Sequence, residues 1–289
     1  MGGPFLVRHR VDRIAHGAQT NAMKVLALGS RCNNACVFCT GGICAVASPG
    51  TCRFMVHEEE RSSLDSIAAV DAAVPTSVLR LVGGEPTLRD DLSSLVTRAR
   101  TLGVSRVELQ TNARRLAYTA YAKQMAAVGV CGLLVGIHGS TAPMHDYHTN
   151  VPGSFGQTIR GTRHAVAAGV DVVLCCVVTR SNFRHLAEIV TLGTSLGACT
   201  IRLQVPPIAG QTMRLRDRVV VHPEILVEHV KEARCLGVRL GTVVLVDPRF
   251  AVSASSHDPS SDVEAQGNVG CENAVEGDAS WPTSGICSL

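Results

Sequence analysis

Aromatic residues make up only 3% of the 289 residues, so Val, Leu, Ile and Ala must supply most of the packing in a chain that is 46% hydrophobic. No basic run with interleaved aromatics is present, which leaves no recognisable nucleic-acid groove. Lysine is nearly missing, three against 24 arginines, an imbalance that reads as codon composition. A net charge of +3 is weak support for any polyanionic partner. The opening M-G-G-P-F-L-V-R-H-R lacks the apolar core of a signal peptide, and no run of 18 apolar residues offers a membrane span. A cytoplasmic location is expected, with neither membrane nor nucleic acid as a partner. The first strand-like segment is not followed by G-x-G-x-x-G, which argues against a doubly wound dinucleotide fold.

Cysteine, by contrast, is plentiful: twelve residues in a chain whose expected compartment disfavours disulfides. Cys175 and Cys176, inside V-V-L-C-C-V-V, and Cys131, beside another apolar run, read as small core residues. The stretch S-R-C-N-N-A-C-V-F-C-T-G-G is different, because turn residues surround Cys32, Cys36 and Cys39. A zinc knuckle would need a fourth ligand, from Cys44 or Cys52. A [4Fe–4S] cluster suits three thiolates equally well and leaves one iron open.

From Lys24 onward short apolar runs alternate with longer Ala- and Leu-rich stretches of helical period. Strands are expected at Val25 to Leu28, Val78 to Val82, Val107 to Gln110, Gly132 to Ile137, Asp171 to Val178, Thr200 to Gln204 and Arg239 to Val246. Helices are expected at Leu64 to Ala73, Asp91 to Leu102, Ala117 to Val128, Phe155 to Ala168, Phe183 to Leu196 and Pro223 to Leu236. Gly103, Gly129, Gly169, Gly197 and Gly237 fall where helices end on a left-handed residue. Such alternation indicates an α/β fold whose parallel sheet is covered by helices, a full or partial β/α barrel. The expected organisation is an N-terminal extension over 1–23, a core domain over 24–246 and an irregular, polar tail over 247–289.

The polar clusters fall on the loops after the strands, where the active sites of β/α barrels assemble. G-G-E-P-T follows strand two and T-N-A follows strand three. I-H-G-S-T-A-P-M-H-D-Y-H follows strand four, and T-R-S-N follows strand five. His138, His145, Asp146 and His148 are candidates for a second metal or for an acid/base pair, against a plainer role in a structured loop with Ser154 capping the next helix. Arg180 suits bidentate pairing with a carboxylate.

Cys32-x-x-x-Cys36-x-x-Cys39, with Phe38 before the last cysteine and Gly83-Gly84-Glu85-Pro86 about 45 residues on, resembles the radical S-adenosylmethionine (SAM) superfamily. The resemblance covers roughly Lys24 to Val246 and implies a partial (β/α)6 TIM-type barrel. It implies a [4Fe–4S] cluster on the three cysteines, with the amino and carboxylate groups of SAM chelating the open iron. Reductive cleavage would then give methionine and a 5′-deoxyadenosyl radical that abstracts hydrogen from a substrate. Gly41 and Gly42 would let backbone approach the sulfides, and Phe38 would shield the cluster. Gly83, Gly84 and Glu85 would receive the methionine moiety; Thr111, Asn112, His138 and Arg180 are further cofactor-binding candidates, and Val205 and Pro206 would meet the adenine. His138, His145, Asp146 and Arg180 are the candidate catalytic groups. An extra cluster on Cys44, Cys52, Cys271 and Cys287 is not required by their spacing. An external one-electron reductant such as flavodoxin or ferredoxin is implied. A small biosynthetic metabolite is the first substrate expected and a ribosomally made peptide the second; a non-catalytic iron–sulfur or zinc protein is the competing class.

Overall fold

The computed structural model describes residues 23–40 and 78–250. The expected helix at Leu64 to Ala73, the glycines at 41 and 42, the cysteines at 44, 52, 271 and 287, and both terminal segments lie outside these residues.

Seven parallel strands form one sheet in sequential order: β1 (Met23–Ala27), β2 (Val78–Val82), β3 (Arg106–Thr111), β4 (Val130–Gly136), β5 (Asp171–Val177), β6 (Thr200–Gln204) and β7 (Val243–Val246). Among the described strands, β1 and β7 are the two edges, so this is a partial barrel. Sequential order puts every β-to-α loop at one end. The principal helices are α1 (Leu92–Thr101), α2 (Thr119–Ala127), α3 (Ala142–Thr149), α4 (Ser154–Ala167) and α5 (Leu186–Ser195). They are followed by the short α6 (Gln211–Arg214) and α7 (Arg216–Val219), then α8 (Pro223–Leu240).

The strands alternate more than continuous apolar runs would. Leu79, Leu81, Val107, Leu109, Val135, Leu174, Ile201 and Leu203 are buried toward the helices. The opposite face of the same strands carries charge: Arg80 donates to Glu108 at 2.8 Å, and Arg106 reaches both Glu108 at 2.9 Å and Asp171 at 3.1 Å. Burial acts to raise the Glu108 carboxyl, but the two guanidiniums hold it below its ordinary value. V-L-R-L-V and R-V-E-L-Q-T therefore have the two-residue period of strands with one apolar face and one charged, paired face.

Two expected boundaries are corrected at the end of the core. Gly237 does not end a helix; it is buried within α8, where a Cβ would lie 2.4 Å from Val244 Cγ2 on β7. The terminating glycine is Gly241, at φ +70°. Arg239 and Leu240 are thus helical, and β7 starts only at Val243.

Candidate active site around the cysteine loop

The loop after β1 carries Cys32, Cys36 and Cys39, and it is braced from several sides. Glu85 N–H donates to the Arg31 carbonyl at 2.7 Å. Gly83 and Gly84, at φ +92° and +46°, let the second loop back directly onto the first: a Cβ on Gly84 would sit 2.1 Å from the Arg31 carbonyl oxygen. A Cβ on either glycine would therefore meet the backbone of residues 28–31.

Glu85 is fully buried and bridges three loops. Its Oε1 accepts from Thr87 N–H at 3.1 Å, Thr87 Oγ1 at 2.6 Å and Thr111 Oγ1 at 2.5 Å; its Oε2 accepts from Asn112 N–H at 2.6 Å. Burial raises its carboxyl, and these four donors offset part of that rise. Thr111 spends its hydroxyl on Glu85 and on Ala113 N–H at 3.0 Å. Asn112 donates from Nδ2 to Asn33 Oδ1 at 2.6 Å, tying the third loop to the first.

Arg114 extends that tie. Its guanidinium donates to the Asn33 carbonyl, to Asn34 Oδ1 at 2.8 Å and to Gln157 Oε1 of α4 at 2.6 Å. No sequence signal marked Arg114, Asn33 or Gln157, because their partners are 43 to 81 residues away. Gly161 of α4 permits the approach, since a Cβ there would meet the Ala113 carbonyl at 2.0 Å.

On the far side, Ala35 N–H and Val37 N–H donate to the carbonyls of Thr149 and His148 at 2.9 and 3.0 Å. These acceptors terminate α3, in a segment expected to be a loop; its Pro143 at the start and left-handed Asn150 at the end are ordinary helix signals. Phe38 packs edge-on against His138 with ring centroids 4.6 Å apart, and His138 stacks on His145 at 5.8 Å. The partners fix the tautomers. His138 Nδ1 accepts from Val177 N–H, His145 Nδ1 accepts from His138 N–H, and His148 donates from Nδ1 to the Met144 carbonyl while accepting from Thr179 at Nε2. Burial lowers all three imidazoles, His145 to about 4 and His138 well below the ordinary value, and repulsion from neighbouring imidazoles adds to it for His138 and His145.

His138 Nε2 lies on the inward side of Gly136, where a Cβ would approach it to 3.1 Å. His145 is wholly buried, and its Nε2 has no hydrogen-bond partner. Asp146 receives Gly153 N–H, Ser154 Oγ and Phe155 N–H at 2.6 to 2.8 Å, so it caps α4 and Ser154 becomes the first helical residue. Burial acts upward on that carboxyl, but the three bonds hold it below its ordinary value. Arg180 is exposed and donates to the Asp217 carbonyl at 2.9 Å. Asn182, by contrast, is buried and joins the loops after β4 and β5, donating to the carbonyls of His138 and Val177 at 3.0 Å each.

The described cysteines form no disulfide with one another. Burial, then the charge of Glu85, pushes Cys32 up to about 11; burial and the neighbouring thiols push Cys36 up further. Among the described residues, no three His, Cys, Asp or Glu side chains are arranged to hold a single metal ion.

The family model of the Radical SAM superfamily matches residues 26–193. The chain belongs to the radical SAM superfamily. Its relatives include the AdoMet-dependent heme synthase of Oleidesulfovibrio alaskensis, 30% identical over 193 residues that are 67% of this chain and 47% of the relative. Mycofactocin maturase MftC of Mycobacterium ulcerans is 27% identical over 74% of this chain and 59% of its own. The chain thus spans about half the length of the curated relatives it matches. Among solved structures, Streptococcus suis SuiB bound to S-adenosylmethionine shares the fold, at TM-score 0.61 and 14% identity over 83% of this chain and 53% of that one. SuiB bound to its precursor peptide SuiA gives the same TM-score, at 13% identity over 82% and 51%. In this radical SAM chain no helix among the described residues is long and apolar enough to cross a membrane.

Proposed function

We propose that Cys32, Cys36 and Cys39 hold a [4Fe–4S] cluster at which S-adenosylmethionine is reductively cleaved, and that the chemistry is directed at a peptide. The observation that carries this is the bracing of the cysteine loop: the loops after β2, β3 and β6 and the end of α3 all hydrogen-bond to it. When bound, the cluster and its SAM supply a 5′-deoxyadenosyl radical that removes a hydrogen atom from the substrate.

The residues fit such a group. Thiols raised by burial persist as thiolates only against a strongly cationic partner. A cubane cluster takes each thiolate on a different iron, which suits three thiols spaced along one loop. Phe38 and the neutral, buried imidazoles of His138 and His148 keep water from one flank of the loop. Glu85 and Arg114 position the loop rather than the substrate. His138 is the candidate that faces inward; His145 and Asp146 serve as framework.

The substrate class shifts from the first expectation to the second. The names of two relatives, a mycofactocin maturase and SuiB with a bound precursor peptide, support a peptide, while the heme synthase keeps a small molecule as the alternative. The test is anaerobic turnover with SAM and dithionite, offering short peptides encoded beside the gene with deuterium at their α and β carbons. Deuterium in 5′-deoxyadenosine and a peptide altered in mass support the proposal. Deuterium arriving only from labelled small metabolites would overturn the peptide assignment.

A further inference from the structure

We propose that the exposed segment from Ile208 to Arg218, with Arg180 beside it, is the docking surface for an acidic one-electron donor protein. The proposal rests on the function just given and extends it to a partner.

Position comes first. Gln211 N–H donates to the Cys39 carbonyl at 3.0 Å, and Thr212 Oγ1 donates to the Phe38 carbonyl at 3.4 Å. Gly210 presses on the same backbone, where a Cβ would lie 2.6 Å from the Cys39 carbonyl oxygen. The segment is therefore one hydrogen bond from a cysteine assigned to the cluster. Electron transfer weakens steeply with distance, and a donor seated here is joined to Cys39 by a short path, one hydrogen bond and the cysteine's own backbone.

Charge comes second. Arg214, Arg216 and Arg218 are exposed, and exposed Arg180 is fastened to α7 through the Asp217 carbonyl. Four guanidiniums against the single carboxylate of Asp217 leave +3, as much as the formal charge of the whole chain, +3. A concentrated field of this kind steers an oppositely charged partner and sets its on-rate. Apolar surface comes third. Ile208 and Met213 are 50% and 65% exposed on this stretch, an apolar centre among the cations. Transient redox encounters bury less than about 1,200 Å², so such a partner needs no extended interface.

An acidic flavodoxin or ferredoxin matches these features. One electron leaves the donor's reduced flavin or iron–sulfur centre and enters the cluster; the donor departs oxidised by one electron, and no bond or proton changes place.

The experiment titrates oxidised flavodoxin onto the reconstituted chain by calorimetry at 50 and 200 mM salt. In the triple variant Arg214→Glu, Arg216→Glu, Arg218→Glu, Kd should rise about tenfold or more. Wild-type binding should weaken with salt and the variant's should respond less, while SAM cleavage driven by dithionite is unchanged. Arg216→Glu alone should raise Kd roughly threefold, so the outcome does not depend on the triple variant folding. Wild-type affinity in both variants overturns the proposal. So does loss of binding to an acidic peptide or a short DNA duplex with flavodoxin binding intact, since the patch would then serve another anion. Because Kd is read without turnover, a wild-type chain that binds flavodoxin but never cleaves SAM would refute the proposed function and leave the surface standing.

Discussion

Gly84 shows how much of the site depends on single residues whose partners are distant in sequence. Its left-handed φ and the 2.1 Å approach to the Arg31 carbonyl mean that Gly84→Val must displace the cysteine loop itself. The expected result is a loss of cluster occupancy together with weaker SAM binding, at a cost on the order of 1–3 kcal/mol in stability. Iron content and a SAM titration on the variant check this; full iron with weakened SAM binding alone would restore the simpler view that the glycine only makes room for methionine. Glu85→Gln tests the other half of the motif. An amide cannot accept at both ends, so Asn112 N–H would face a donor inside a buried site, costing about 1–3 kcal/mol, read as a lower urea midpoint. Histidine supplies a pH dependence. His145, His138 and His148 have folded values below the unfolded one, near 6.5, so the unfolded state takes up protons more readily. Their stability contribution is complete above about pH 6.5 and is lost as pH falls toward 4, the value reached by His145. The slope of urea midpoint against pH across that window should flatten in His145→Leu; an unchanged slope would show that these rings do not carry it. At this scale the cysteines and G-G-E-P were legible because their spacing is local. Arg114 and Asn33 were not, because a side chain becomes a brace only when folding brings its acceptor near.

Among the elements, α3 and α4 act together. Asp146, near the end of α3, caps α4, while the last carbonyls of α3 receive the cysteine loop. Asp146→Ala should therefore destabilise the fold by about 1 kcal/mol through the lost cap and leave three donors seeking water. Chemical denaturation measures the cost, and catalytic activity per folded, iron-loaded molecule should be kept, as an acid/base role would not allow. Gly161→Ala on α4 is the more informative change. Helix propensity alone favours alanine by about 1 kcal/mol. Contact with the Ala113 carbonyl at 2.0 Å opposes it, so the variant should be less stable and should release the Arg114 brace. A more stable Gly161→Ala protein would show that this packing is not tight. Helices read well from sequence where one face repeats, as in α1 with Leu92, Leu95, Val96 and Ala99 buried. The eight-residue α3 escaped because its buried positions are His145, His148 and Thr149, polar residues that carry no hydrophobic period.

Across the whole molecule, sequential parallel strands place every functional loop at one end, and that arrangement was legible because βαβ alternation survives in the apolar pattern. The charged inner face was less so: Arg80 and Asp171 reach their partners on β3 only once β2, β3 and β5 come together in the sheet. Gly237 misled for a related reason, since a glycine required by packing against β7 looks in sequence like one that ends a helix. The central claim is that the loop after β1, held by the loops around it, carries a cluster whose open iron takes SAM. Cys131 offers the matched control, a thiol that donates to the Val107 carbonyl at 3.5 Å, within the sheet rather than on the loop. The most direct measurement is electron paramagnetic resonance of the anaerobically reconstituted, dithionite-reduced chain with and without SAM, in wild type, Cys36→Ala and Cys131→Ala. Wild type and Cys131→Ala should each show a [4Fe–4S] signal that changes when SAM is added, and Cys36→Ala should show no such signal and hold little iron. A full iron complement and an unaltered spectrum in Cys36→Ala, or a wild-type spectrum indifferent to SAM, would contradict the assignment.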